Sequence, residues 1–212
     1  MATLRSSQRV RMRKQPARAD PTFDDSLTAA AGLLLGLRKD ERETHNDTAT
    51  LATLFKDWTG GLAVLHCATT NATLRSSSES SALHAALGGL PEPTTVARLA
   101  IRTLVCPTVM QLHHRRTHQL QDWQECEAAR DHARGLLTQL VGLDAPALPH
   151  AVRAELQELL LASLSTASRG GYWRDFISAR GWTAEDVAAV SAEARRTLQA
   201  LPELPPRGDP QE

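Results

Sequence analysis

His113, His114, His118, Asp122, Glu125 and His132 share one short stretch of the chain, and their side chains are the ones best suited to metal or acid–base chemistry. Placed at 100° per residue on a helix, His114, His118, Glu125 and His132 project to one side. His114 and His118 are four apart, so both imidazoles can reach one metal ion. Asp122 follows one turn later and supplies an oxygen. A straight helix offers only two neighbouring ligands to a compact site, so a further ligand has to come from another helix or chain. The ExxH pairs of di-iron bundles and the HExxH motif are absent. A solvated polar face is the plainer account. The metal-binding set that the sequence supports is His114, His118, Asp122 and Glu125.

Other catalytic chemistries find less. There is no GxSxG elbow, and His66 beside Cys67 does not aim a base at a thiolate, because the two are adjacent in the chain. Gly32 and Gly36 precede Leu37-Arg38-Lys39 without the spacing or the Ser/Thr of a phosphate loop. Asp40, Glu41 and Glu43 alternate with Arg38, Lys39 and Arg42, which ion pairing accounts for. No cofactor is expected, and an enzyme is not the favoured expectation.

Residues 176–187, Phe-Ile-Ser-Ala-Arg-Gly-Trp-Thr-Ala-Glu-Asp-Val, are similar to the first helix, turn and second-helix start of helix-turn-helix repressors. The resemblance implies a DNA-groove reader. It departs after Val187, where the helical pattern continues through Arg195, Arg196 and Leu198 with no second turn. A helix, a glycine and a Thr-capped helix also make a generic αα-hairpin.

Charge is the stronger signal. The 212 residues hold 24 basic and 24 acidic side chains, so the net charge is zero. Residues 1–19 carry Arg5, Arg9, Arg11, Arg13, Lys14 and Arg18 and no acid, which leaves 18 basic against 24 acidic residues in the rest. An arm of charge +6 is thus attached to a body of charge −6. An arm with no aromatic residue cannot build a core, but it can bind phosphate polyanions by releasing counterions, or an acidic protein surface by Coulomb attraction. Arg115 and Arg116 would lengthen that positive track. A solvated tail and an Arg-rich organellar presequence are the competing readings. The expected function is therefore a non-enzymatic binding or assembly protein that contacts nucleic acid or another polyanion through its arm. A metal-binding helical protein or metal-dependent enzyme is the first alternative. A structural subunit, possible as a homo-oligomer, is the second.

These residues must be held by helices. Apolar residues recur at helical spacing, glycine, proline and serine punctuate them, and no β-alternation or fixed repeat is visible. An all-α, single-domain bundle of about seven helices follows, with an arm at 1–22, a helical domain at 23–201 and a Pro-rich tail at 202–212. The first helix starts near Asp24 or Asp25 and ends near Lys39, with Gly32 and Gly36 suited to a close helix contact. A second starts at Asn46-Asp47, and Gly60-Gly61 ends or interrupts it. Residues 61–75 favour helix, a short helix covers 82–87, and another begins at Thr94 or Thr95. Pro107 breaks or kinks that one, and a long helix runs from Thr108 to Val141 with Val109, Leu112, Leu120, Trp123, Leu137 and Val141 as its apolar stripe. Helices then cover 150–167, the aromatic segment around Trp173, and 184–201, the last opened by a Thr183/Asp186 capping box. The odd, widely spaced Cys67, Cys106 and Cys126 read as buried free thiols. The longest apolar stretch, Leu27 to Leu37, is too short to span a bilayer. Asn71-Ala-Thr73 fits a glycosylation pattern, but no secretion signal accompanies it. A cytoplasmic protein without a membrane partner is expected.

Overall fold

The computed structural model describes residues 23–39, 44–70, 83, 87–143, 147–164 and 171–203. They form an all-α bundle: α1 (Phe23–Lys39), α2 (Thr44–Leu54), α3 (Trp58–Thr70), α4 (Pro93–Arg116), α5 (Leu120–Val141), α6 (Ala147–Leu164), α7 (Tyr172–Arg180) and α8 (Ala184–Ala200). Eight helices and no strand are seen among the described residues, where a bundle of about seven was expected; the short helix expected at 82–87 lies mostly outside the described residues. The arm at 1–22 and the tail beyond Glu203 lie outside them.

The central element is α4, which packs against α3, α5, α6 and α8. Val96, Leu99, Ile101, Leu104 and Val105 are at most 1% exposed, so this helix is apolar on most of its circumference. Of the break or kink expected at Pro107, the break is not made: α4 continues through the proline. Proline in a helix interior costs about 3 kcal/mol. The segment beyond it is held by packing: Val109 joins the core, and Thr108 and Gln111 are buried. The Thr103 and Thr108 hydroxyls donate to the carbonyls of Ala100 (2.7 Å) and Leu104 (2.8 Å), so neither buried hydroxyl is left unbonded beside the proline.

The break falls later instead, at residues 117–119. His118 has φ 56°, a left-handed backbone that histidine adopts more readily than most residues. The Thr117 hydroxyl donates to the His113 carbonyl at 3.0 Å, and the Gln119 amide donates to the His114 carbonyl at 2.9 Å, so the turn closes the end of α4. The expected helix from Thr108 to Val141 is therefore two helices. Its apolar stripe survives at Leu137 and Val141, which are buried, and fails at Leu120, which is 68% exposed.

Gly60 and Gly61 do not end a helix; they sit in the first turn of α3. Asp57 precedes them, and its carboxylate accepts from the Gly60 amide at 3.1 Å. A Cβ on Gly60 would lie 2.5 Å from the Leu54 carbonyl oxygen, and one on Gly61 2.8 Å from Leu99 Cδ1. The corner between α2 and α3 thus closes only around glycine. At Gly32, where a close helix contact was expected, a Cβ would meet nothing within 4 Å.

The other boundaries follow ordinary capping rules. Pro93 occupies the first turn of α4, where its missing N–H is not needed, so the helix opens before Thr94. Pro149 is likewise inside the first turn of α6, which begins at Ala147 rather than near His150. Gly181 ends α7 with φ 61°, and both halves of the Thr183/Asp186 capping box that opens α8 are formed.

Two glycine replacements separate tight packing from helix propensity. Gly60→Ala should lower stability by about 2 kcal/mol because backbone must shift. Gly135→Ala, exposed within α5 with nothing within 4 Å of the new methyl, should raise it by about 1 kcal/mol. Urea unfolding monitored by circular dichroism measures both, and equal effects of one sign would contradict the tight corner.

Candidate functional site: an arginine-lined cleft

Arg98, Arg102, Cys106, Met110 and His114 recur every four residues along α4. Positions four apart share a helix face, so these side chains form one slowly winding row. The upper part of the row meets an aromatic wall. Trp58, at the start of α3, lies 5.9 Å edge-on from Tyr172, and α7 carries Tyr172, Trp173 and Phe176 in mutual contact. Trp182 closes the wall on Phe176 at 5.4 Å.

Three guanidinium groups stack on this wall. Arg98 lies 4.5 Å from the centre of Tyr172; Arg102 lies 5.1 Å from Trp58 and 4.9 Å from Phe176; Arg180 lies 5.1 Å from Phe176. Their electrostatic situations differ. Arg98 is answered by the buried carboxylate of Glu155 at 3.0 Å, whose second oxygen accepts from Trp173 Nε1 at 2.8 Å. Arg102 and Arg180 form no ion pair with any described residue.

The lower part of the row opens into a cleft of about 640 Å³ between α1, α3, α4, α5 and the end of α7, within the roughly 300–1,000 Å³ typical of ligand sites. Arg102, Cys106, Met110 and His114 line one side, Leu62 and His66 another, and Asp122, Glu125 and Cys126 a third, with Arg180 at one end. Burial pushes the Cys106 thiol above its ordinary pKa, against the opposing pull of Arg180 and Arg102. Cys126 is pushed up by burial and further by Asp122 and Glu125. Both thiols are therefore protonated near neutral pH and poorly nucleophilic. Cys67 is buried, whereas Cys106 and Cys126 are only partly so, a correction to the expectation of three buried thiols.

Of the residues singled out from sequence, His114, Asp122 and Glu125 meet on this cleft. His114 Nδ1 is 2.8 Å from Gln119 Oε1 and 3.9 Å from Asp122 Oδ2. His118, placed in the turn, does not reach that cleft; it lines a second, more open hollow with Arg115, Leu120 and Trp123, which His114 also borders. The one-helix geometry assumed for His114 and His118 does not exist. Among the described residues, no group of three or more His, Cys, Asp and Glu side chains is placed to hold a metal ion.

Arg116 bonds to Glu185 at 2.6 Å and Asp186 at 3.3 Å, while neighbouring Arg115 is exposed and forms no ion pair with a described residue. Arg5, Arg9, Arg11, Arg13, Lys14 and Arg18 lie outside the described residues. The helix-turn-helix-like segment is α7, Gly181 and α8, and α8 continues unbroken to Ala200 with Val190, Ala194 and Thr197 buried. No protein family, curated protein or solved structure matches the chain. No described helix is long and apolar enough to cross a membrane.

Arg102 was not singled out from sequence although the every-fourth-residue row contains it, and Arg180 figured only within the helix-turn-helix-like segment. Assigning Pro107 as a break divided the row between two helices. The aromatic wall then supplied no cue, because its members come from α3, α7 and the α7–α8 turn.

The Arg116 contact gives a pH test. Burial disfavours the Asp186 carboxylate, but bonds from Thr183 and the Arg116 charge outweigh it and hold its pKa below the ordinary 3.8. Its contribution is thus present above pH 3.8 and lost as pH falls through the lower folded value. Asp186→Asn should cost about 1–2 kcal/mol at pH 7, and the gap from wild type should narrow in urea titrations below pH 3.8.

Proposed function

We propose that the protein is a non-enzymatic helical binding protein whose basic arm, residues 1–19, holds nucleic acid, with an acidic protein surface as the competing polyanion. The observation that carries this reading is the division of a neutral chain into +6 and −6 parts. Charge of one sign concentrated in an arm attracts a polyanion even when the whole molecule is neutral, because screening acts over only about 8–10 Å. Arg115 supports the reading as an exposed cation free of ion pairs with described residues. Arg116 adds little, since Glu185 and Asp186 already neutralise it. The protonated thiols of the cleft favour binding over nucleophilic chemistry. Three free cysteines suit a reducing, cytoplasmic setting.

Self-association is a second reading, favoured by Leu161 and Leu164, which are three residues apart on α6 and 67% and 61% exposed. Sedimentation of wild type against a Leu161→Glu, Leu164→Glu variant tests it; a monomeric wild type would remove it.

For the arm, the full chain and a variant lacking residues 1–19 are titrated with duplex and single-stranded nucleic acid at rising salt. Six phosphate contacts give a log–log slope of about −5 on duplex and about −4 on single strands. The truncated variant should lose that slope with its affinity, and Arg115→Ala should reduce the slope by about 1. Unchanged affinity after truncation would overturn the reading.

A further inference from the structure

We propose that the cleft is a binding site for a small organic anion with one charged head and an apolar body, the head seated on Arg102 and Arg180. This inference is independent of the arm. Both guanidinium groups stack on the single ring of Phe176, at 4.9 and 5.1 Å from its centre. The two charges therefore lie within 10 Å of each other, the two distances laid end to end. Arg98, one turn earlier on the same helix, shows how this fold treats a stacked guanidinium that needs an anion: it supplies Glu155 at 3.0 Å. For Arg102 and Arg180 it supplies no carboxylate among the described residues. Arg102 Nε is buried without a hydrogen-bond acceptor, as Arg98 Nε is, so the missing carboxylate is what sets Arg102 apart. Stacking on aromatic faces also takes water from the half-buried Arg102, which strengthens its attraction for an anion, while Arg180 stays exposed at the rim.

The rest of the cleft defines the ligand's other features. Leu62, Met110 and Phe23 give an apolar stretch for its body. Asp122 and Glu125 stand on the α5 side and repel a second negative charge. The two ends are electrostatically distinct: Cys106 feels Arg180 and Arg102, whereas Cys126 feels Asp122 and Glu125. The site thus selects a single anionic head, carboxylate or phosphate, on a chain or ring of modest size.

Octanoate is the probe, with octyl phosphate as the alternative head, octylamine as the same chain of opposite charge, and suberate as the doubly charged chain. Calorimetry on the full chain reads affinity, and the alkylation rate of Cys106, quantified by peptide mass, reports occupancy of this cleft. Octanoate or octyl phosphate should bind once and slow Cys106 alkylation; octylamine should do neither. Arg102→Met and Arg180→Met should each weaken binding about tenfold or more. Arg180 is exposed at the end of α7, so its variant remains informative if the Arg102 variant fails to fold. Suberate should bind more weakly than octanoate and recover in an Asp122→Asn, Glu125→Gln variant. Octanoate affinity that is unchanged in Arg180→Met, protection of Cys106 by octylamine, or no protection by either anion would overturn the proposal.

Discussion

The continuity of α4 through Pro107 is the constraint on which the remaining architecture depends. A helix that stopped there would place Arg98 and Arg102 on one element and Met110 and His114 on another, with no reason for them to face a common space. The continuous helix holds all of them in one row, against α3 on one side and α5 on another. Local chemistry opposes this arrangement, and packing on both sides of the proline overcomes it, with Leu104 and Val105 buried before it and Thr108, Val109 and Gln111 packed after it. Backbone preference near a proline is worth a few kcal/mol; a helix buried on most sides gathers several times that from desolvation.

A second consequence concerns arginine. Several described arginines are balanced locally: Arg130 by Glu127 and Asp131, Arg134 by Asp131 and the buried Glu193, Arg116 by Glu185 and Asp186. These pairs join α4 and α5 to α8, or brace one helix against itself. The aromatic wall follows another logic, since a ring face attracts a cation without neutralising it. Glu155 neutralises the first guanidinium of that wall and anchors Trp173, which packs the wall onto α6. The other two keep their charge, and the cleft beside them inherits a positive end.

Much of the fold was legible in sequence. Apolar spacing with glycine and proline punctuation identified an all-α bundle, and the Thr183/Asp186 pair marked the start of α8 through a motif that works within one turn. The site was only partly legible. His114, Asp122 and Glu125 were singled out and do share a cleft, yet His118 was assigned to a helix that is not there. The glycine pair at 60–61 misled in the opposite direction: glycine commonly ends helices, but here it lets α3 begin against Leu54 and Leu99.

Sequence alone determined what acts over a few residues or over the whole composition: helix periodicity, the capping box, the αL glycine after α7, and the division of charge between arm and body. Tertiary structure decided which local rules were overridden, and where side chains from distant segments met. Pro107 continues its helix because burial outweighs a local clash, and His118 accepts a left-handed turn because α5 must fold back along α4. Arg102 and Arg180, 78 residues apart in the chain, share one phenyl ring only because α7, packed on α6, brings Phe176 within reach of the α4 row. Such meetings depend on long-range packing energies, which no short window of sequence contains.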